Sequence, residues 1–387
     1  MRVAIFTEVF VPKIDGITNR LRQTIRCLRR QGHEVLVFAP DTAVREYAGV
    51  RVVRVPGLPF PPYPGLRVSL PDPRLAWELA RFAPSVVHAV GPVCLGAWGI
   101  AAARALALPV VASYHTDLPG YAPRYGLGFA RAAIWPLVRF LHNAAHVNLA
   151  PSRHTRDELV AHGVENVGLW RGGVDVELFH PRRRCQAMRF RLTGGAPDEP
   201  VVLYAGRLSP EKNLEVFEAV LDALPEARAA LVGDGPARPE LERRLSGRRA
   251  VFTRFLRGRE LARAYASADV FLMPSRTETL GFVVLEAMSS GCPVVAARAG
   301  GVPDLVSHGE NGWLFDPERP GEATQAIRGL LDSRSARRFQ GQQARKAAEG
   351  CGWARETEKL VDAYTRAICI NRQRGPLGRL QLAAARW

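Results

Sequence analysis

Lysine is nearly absent from this chain: four of its 53 cationic side chains are Lys and the rest are Arg. Cysteine is sparse and unpatterned. The six (Cys27, Cys94, Cys185, Cys292, Cys351, Cys369) form no C-x-x-C pair and no metal-ligand spacing. That argues against a cysteine-held metal or a disulfide framework and predicts mostly buried free thiols in a reducing compartment. A dinucleotide fingerprint is also missing. The first apolar run is followed by Thr7-Glu-Val-Phe-Val-Pro-Lys-Ile-Asp-Gly16, and Gly233-Asp-Gly235 lacks a third glycine, which disfavours a dehydrogenase. The chain is expected to open directly on a strand, Met1–Phe6, and with it no signal peptide is expected. One long run, Phe82–Ala103, carries no Asp, Glu, Lys or Arg. Pro84, His88 and Gly91-Pro92 interrupt it, so it predicts buried strand, loop and helix rather than a membrane span.

What is present is positive charge. The net is +16 over 387 residues, about +12 of it in residues 1–191 and +4 in the remainder. A one-sided positive surface suits nucleic acid, anionic lipid or an anionic small substrate. No nucleic-acid-binding module is recognisable, and carboxylates at the candidate site would repel phosphates, so nucleic acid is not an expected partner. At this length two domains of ordinary size can each bury a core.

The pattern of short apolar runs and amphipathic stretches predicts an α/β protein. Strands are expected at Val3–Phe6, Glu34–Ala39, Val50–Val55, Ser85–Ala89, Val110–Tyr114 and His146–Ala150. Thr18–Gln31 is expected to be a helix, with Leu21, Ile25 and Leu28 on its buried face and Arg20, Arg22, Arg26, Arg29 and Arg30 off it. Cys185–Pro200 reads as a linker. The rhythm then restarts with strands at Val201–Ala205, Ala229–Val232, Val251–Phe255, Val270–Met273 and Val294–Ala296. Two doubly wound parallel sheets follow, facing across a cleft between their strand C-terminal ends. The expected division is residues 1–190, residues 200–365 and a basic tail over 366–387.

The sharpest constellation is Pro274-Ser-Arg-Thr-Glu278-Thr-Leu-Gly-Phe-Val-Val-Leu-Glu286. A helix over Leu280–Ser290 would put Glu278 and Thr279 at its entrance, Glu286 about two turns inside, and the amides of Thr279, Leu280 and Gly281 ready for phosphate oxygens. A simple N-terminal helix acid accounts for Glu278 equally well. It does not account for Glu286, which sits among Val283, Val284, Leu285, Ala287 and Met288 and needs a hydroxyl or cationic partner. Arg207 and Lys212, on the loop after a strand, can clamp a pyrophosphate or simply be solvated. Gly233 marks a tight strand-end turn on the same side. In the first half, Asp15-Gly16 closes the loop after the first strand, and Ser113-Tyr-His115-Thr-Asp117 places a histidine at a strand end. Between Tyr121 and His142, aromatics and cations interleave, with Arg124, Arg131, Trp135 and Arg139 foremost. This pattern fits interfacial membrane docking and an ordinary core-facing helix alike.

Taken together, these segments resemble the family-4 group of retaining glycosyltransferases. The resemblance is carried by the Glu278–Glu286 spacing, Gly206-Arg207…Glu211-Lys212, Gly233-Asp-Gly-Pro236 and Ala299-Gly-Gly-Val-Pro-Asp304. Ser113-Tyr-His-Thr116, Leu169-Trp-Arg-Gly-Gly-Val-Asp175 and Ser275–Gly281 look most like the sulfolipid-synthase branch, and the match runs from Met1 to about Trp353. Asp15-Gly16 departs from the Gly-Gly of many relatives. The resemblance implies the GT-B architecture, two Rossmann-like domains facing across a cleft. It implies transfer of sulfoquinovose from a UDP-sugar donor to diacylglycerol with retention, no cofactor and no metal ion. Arg207 and Lys212 would hold the diphosphate, with the Thr279–Gly281 amides and the Gly16 and Gly233 turns beside it. Glu278 would bind sugar hydroxyls, Glu286 the ribose, and His115 would lie beside the reacting sugar. A cytoplasmic protein docked peripherally on the cytoplasmic face of an anionic membrane is the expected setting.

Overall fold

A computed structural model describes residues 1–13, 15–40, 42–60, 63–69, 72–115 and 131–374. The chain forms two compact units. One comprises Met1–Arg171 with Trp353–Trp387, and the other Gly172–Gly352.

In the first unit eight strands form one sheet. They are β1 (Arg2–Thr7), β2 (Glu34–Pro40), β3 (Glu46–Tyr47), β4 (Val50–Val55), β7 (Val86–Val90), β8 (Val110–Ser113), β9 (Val147–Ala150) and β10 (Val167–Leu169). A separate hairpin joins β5 (Gly57–Phe60) to β6 (Tyr63–Ser69). The sheet order is β10-β9-β8-β7-β1-β2-β4-β3, parallel except for β3. Residues of β1 alternate between two cores, as a strand's two-residue period requires. Val3 and Ile5 pack with Leu21, Ile25 and Leu28, while Ala4 and Phe6 pack with Leu75, Leu79 and Ile100. The uncharged run resolves as expected into β7 and the helix Leu95–Ala105. No helix of the described residues is long and apolar enough to cross a membrane.

The second unit carries β11 (Val201–Ala205), β12 (Arg228–Val232), β13 (Ala250–Arg254), β14 (Val270–Met273), β15 (Val294–Ala297) and β16 (Trp313–Phe315). Their order is β13-β12-β11-β14-β15-β16, all parallel. Every residue of β11 and β14 is buried, as central parallel strands covered on both faces require. The order reverses direction between β11 and β14, where Val202 pairs with Val270. At such a switch point the loops leaving the two strands diverge and open a ligand crevice.

Three expectations are corrected. The units divide at Arg171/Gly172 and again at Gly352/Trp353, not at 190–200. The supposed linker contains a helix, Gln186–Thr193, with Met188 and Leu192 in the second unit's core. The supposed tail is, through residue 374, the end of a 22-residue helix, Trp353–Arg374, whose Leu360, Tyr364 and Ala367 fill the core beneath β1 and β7. Composition marked the Gly-Gly-Ala-Pro-Asp stretch as loose, but the domain crossing follows from which core a side chain enters. All six cysteines are free; Cys292 is buried and Cys369 exposed.

Candidate functional site

In the second unit the sequence-predicted residues converge on the β11/β14 switch point. The loop after β11 is zipped to the loop after β12 by Gly206 N to Val232 O (2.9 Å), Leu208 N to Asp234 O (3.0 Å) and Ala237 N to Leu208 O (3.0 Å). Gly233 is obligatory here: its φ is +146°, and a Cβ would strike the Gly206 carbonyl. The Tyr204 hydroxyl donates to the Arg207 carbonyl (2.9 Å), holding the turn while the Arg207 side chain stays exposed. Lys212 closes a short 3₁₀ turn, Pro210–Lys212, and its ammonium reaches the Glu278 carboxylate on the loop after β14 at 2.8 Å. The pair therefore bridges the two loops that flank the switch point.

Glu278 is fixed from its backbone too, since its carbonyl accepts from Gly301 N at 2.8 Å. The helix that follows begins at Phe282, not Leu280, and runs to Ser289. Gly281 is its N-cap with φ +90°, and no side chain caps it. Thr279 and Leu280 thus lie just outside the helix; Thr279 is half-buried and the Leu280 side chain is in the core. Glu286 lies one turn inside rather than two. Of the hydroxyl or cationic partner expected for it, the structure supplies a hydroxyl: Tyr265 donates to Glu286 Oε2 at 3.1 Å. Enclosure by apolar neighbours pushes the Glu286 carboxyl up to about 7, and the Tyr265 hydrogen bond only partly opposes this. Glu286 as a whole residue is half-buried. Near the switch point the unit thus places the Lys212–Glu278 ion pair and an uncapped helix start on the loop after β14, with Glu286 one turn inside that helix.

The first unit treats its equivalent position differently. Its order reverses between β1 and β7, and Glu8, just after β1, fills that point. The carboxylate accepts amides from Val93 (3.1 Å), Cys94 (2.8 Å), Leu95 (3.2 Å) and Gly96 (2.9 Å), at the start of the helix Leu95–Ala105. Burial raises its pKa, opposed by those four hydrogen bonds. A protein carboxylate thus occupies the anion site that helix geometry provides. Sequence reading missed it because Glu8 and Gly96 are 88 residues apart. Gly16 begins the helix Gly16–Arg30, where Asp15 Oδ1 already accepts Thr18 N at 2.7 Å.

His115, just beyond β8, is enclosed by hydrogen bonds: Nε2 to Ser113 Oγ (2.8 Å) and Nδ1 to Arg20 Nη1 (3.3 Å). Arg20 itself is a correction. It was expected off the buried face, yet it is 2% exposed. Its Nη2 donates to the Trp170 and Arg171 carbonyls, and its guanidinium lies 3.9 Å from the Trp170 ring centroid. Desolvation lowers its pKa to about 9, with Glu356 pulling the other way.

Of the candidate docking residues, Arg124 lies outside the described residues, as does the Arg131 side chain. Trp135 does not face solvent: it packs with Tyr114, Val138 and Leu159 and stacks on His162 at 3.6 Å. On the same helix, Arg131–Asn143, the exposed residues among those whose side chains are described are Pro136, Leu137, Arg139 and Phe140, the last 71% exposed. Pro136, Arg139 and Phe140 line an open groove of about 680 Å³ that also reaches Arg104, Asn143 and His162.

Comparison with known proteins bears on family and fold. Residues 14–178 match Glycosyltransferase Family 4, and residues 199–333 match Glycosyl transferases group 1. The chain is 43% identical to the sulfoquinovosyl transferase SQD2 of Arabidopsis thaliana, over 96% of this chain and 75% of that one. It is 42% identical to a GDP-mannose-dependent alpha-mannosyltransferase of Mycolicibacterium smegmatis, over 94% and 97% of the two chains. Sucrose-phosphate synthase from Thermosynechococcus elongatus superposes with a TM-score of 0.77 at 20% identity, covering 95% and 99%, and shares the fold. With two Rossmann-like α/β units of the GT-B class, this chain belongs to the family-4 glycosyltransferases.

Proposed function

We propose that the protein transfers sulfoquinovose from UDP-sulfoquinovose to diacylglycerol, with retention at the anomeric carbon. The observation that carries this reading is the 43% identity to a sulfoquinovosyl transferase along 96% of the chain. In this reading Arg207 and Lys212 take the donor diphosphate, aided by the amides around Thr279, Leu280 and Gly281. Glu278 exchanges its Lys212 partner for sugar hydroxyls, and Glu286 accepts from the ribose while Tyr265 holds it in place. The anomeric C–O bond to UDP breaks, and a new one forms to the diacylglycerol hydroxyl. The acceptor proton leaves with the departing UDP. Cations and amides at the diphosphate stabilise the charge that develops there, so no covalent sugar–protein intermediate is required.

His115 lies beside the sugar in this scheme. Peripheral docking on an anionic membrane brings the acceptor, through Leu137 and Phe140 as apolar contacts and Arg139 and Arg104 as cations. The second reading is a mannosyl- or glucosyltransferase with a neutral-hexose donor and diacylglycerol or phosphatidylinositol as acceptor. The 42% identity to a GDP-mannose-dependent enzyme favours it. Purified protein with labelled UDP-sulfoquinovose and vesicles of diacylglycerol, or of phosphatidylinositol, tests the acceptor. Label entering the lipid phase only with diacylglycerol is expected; label only with phosphatidylinositol, or none, overturns the proposal.

A further inference from the structure

A groove of about 750 Å³ runs along β16, the edge strand of the second sheet, away from the β11/β14 switch point. The helices Gly321–Asp332 and Arg334–Glu349 wall it. The fold leaves three of its features without a use. Gln340 is 5% exposed, yet its Oε1 has no hydrogen-bond partner among the described residues. An unpaired buried acceptor is costly unless something outside the fold bonds it. Gly329 sits inside a helix, where glycine is unfavourable, and a Cβ there would meet nothing within 4 Å. No close approach requires it; what the missing side chain leaves is room in the groove. Arg298 is exposed and forms no ion pair among the described residues. Glu322, the one acid in the lining, is engaged by Asp316 N at 3.0 Å and lies 3.9 Å from Arg319.

These features fall at two ends of the groove. Trp313 pairs with Val295 early in β15, and Gln340 precedes Gly341, which packs against Gly291 and Pro293 just before that strand. The Gln340 amide, Trp313 and the 58% exposed Phe339 therefore mark the N-terminal end of the strands. Arg298 marks the other, its amide bonded to the Phe315 carbonyl at 2.8 Å. At about 3.3 Å per residue, the two steps from Trp313 to Phe315 set the ends roughly 7 Å apart. Rings and an amide at one end and a free guanidinium at the other suit a base carried through a ribose to a phosphate. The base stacks, the amide meets its donor–acceptor edge, and the guanidinium takes the phosphate. A peptide strand added to the sheet edge fits poorly. β16 has three residues, and Leu314 N is already bonded to His308 Nδ1 at 3.1 Å. A free sugar, hydroxylated all round, is mismatched to a lining that includes Leu314, Ala326, Leu330 and Ala336.

We infer that the groove along β16 is a second ligand site, which binds a nucleoside monophosphate with its base on Phe339 and the Gln340 amide and its phosphate on Arg298. The volume is within the ordinary range for small-molecule sites. The site is separate from the Lys212–Glu278 loops but linked to them by a short stretch of chain. Arg298 is followed by Ala299-Gly300-Gly301, and Gly301 N holds the Glu278 carbonyl at 2.8 Å. A phosphate drawn to Arg298 thus acts three residues from the hold on Glu278, a route by which nucleotide level reaches that loop.

Equilibrium dialysis of labelled AMP against the full-length protein tests this, with adenosine and inorganic phosphate as competitors. Gly329→Leu fills the groove, Arg298→Gln removes the cation and Phe339→Ser removes the exposed ring. Lys212→Met serves as the control at the other site. A saturable AMP site is expected that Gly329→Leu abolishes and that Arg298→Gln and Phe339→Ser each weaken about tenfold. Lys212→Met should leave it within about twofold, as distant sites behave independently. Adenosine should compete less well than AMP, and phosphate at the same concentration should not compete. Absence of saturable binding up to about 5 mM, the weak end of specific affinity, overturns the inference. So does AMP binding kept by folded Gly329→Leu or lost in Lys212→Met, which places the nucleotide elsewhere. Displacement by phosphate alone, which reduces the site to an anion contact, overturns it as well. Should Gly329→Leu fail to fold, the two variants at exposed side chains decide, and AMP affinity unchanged in both overturns the site. No sugar donor or lipid enters the test, so its failure and failure of the sulfoquinovose reading are separate results.

Discussion

Lys212 and Glu278 form a 2.8 Å ion pair across the switch point of the second sheet, with side chains 19% and 18% exposed. Each sits on a loop leaving one of the two diverging strands, β11 and β14. The ammonium neutralises the half-buried Glu278 carboxylate. In the proposed reaction a sugar diphosphate offers both a better match: phosphate oxygens for Lys212 and hydroxyls for Glu278. Lys212→Met is therefore expected to lower kcat/KM roughly 100-fold, the scale of removing one donor to developing charge. Glu278→Gln is expected to lower it comparably. Steady-state kinetics with the natural donor check both; a variant within about threefold of the parent contradicts the assignment.

Glu286 makes a prediction about pH. Its folded-state pKa, about 7, lies above its ordinary value of 4.5. The folded state therefore binds the proton more tightly than the unfolded chain does. The resulting stability is fully present below pH 4.5 and is lost as pH rises through 7. Glu286→Gln removes this dependence and should gain on the parent protein between pH 5 and pH 8 by up to about 3 kcal/mol, at 1.36 kcal/mol per pKa unit. Urea unfolding at the two pH values measures it. Parallel pH dependence of parent and variant would show that the enclosure does not destabilise the carboxylate.

Glu8 is expected to be structural. Glu8→Ala strips four amides of their acceptor at a buried helix start and should cost about 2–4 kcal/mol. Glu8→Gln, which keeps one acceptor oxygen, should lie between. Denaturant midpoints decide this, and an Ala variant within 0.5 kcal/mol of the parent, the ordinary surface scale of about that size, contradicts it.

Much of this architecture was legible in the sequence because parallel strands buried on both faces write continuous apolar runs. β11 and β14 match their expected bounds residue for residue. The loop positions were legible for a related reason: residues just after parallel strands fall at one end of a sheet by topology alone, so Arg207, Lys212, Gly233 and Glu278 lie at the same end of the second sheet. What stayed hidden depends on pairing between distant segments. Arg20 reads as one more surface cation of an Arg-rich helix until Trp170 and the carbonyls of Trp170 and Arg171 are seen to enclose it. Tyr364 and His88 are 276 residues apart. The crossing of the chain back into the first unit leaves no compositional mark, since Gly352 and Trp353 are ordinary at a helix start. Trp135 illustrates the converse. Interleaved aromatics and cations suited both a docking face and a core face, and the helix uses Trp135 for the core and Leu137, Arg139 and Phe140 for the outside.

That outer face gives the membrane prediction. With vesicles of 30% phosphatidylglycerol in phosphatidylcholine, the parent should co-sediment. Arg139→Ala should weaken the partition about fivefold, near 1 kcal/mol for one cation at an anionic surface. Leu137→Ser with Phe140→Ser should weaken it further and persist at high salt, where the Arg139 effect fades. Partition unaffected by all three changes would place the docking surface elsewhere.

The central claim concerns the donor, and competition among donors tests it most directly. Purified protein is given diacylglycerol vesicles and UDP-sulfoquinovose, UDP-glucose or GDP-mannose, and kcat/KM is measured for each. The account predicts that UDP-sulfoquinovose exceeds either neutral-hexose donor by at least about 100-fold, the discrimination expected when a site built for a charged group meets its neutral analogue. A larger kcat/KM for GDP-mannose or UDP-glucose would contradict it.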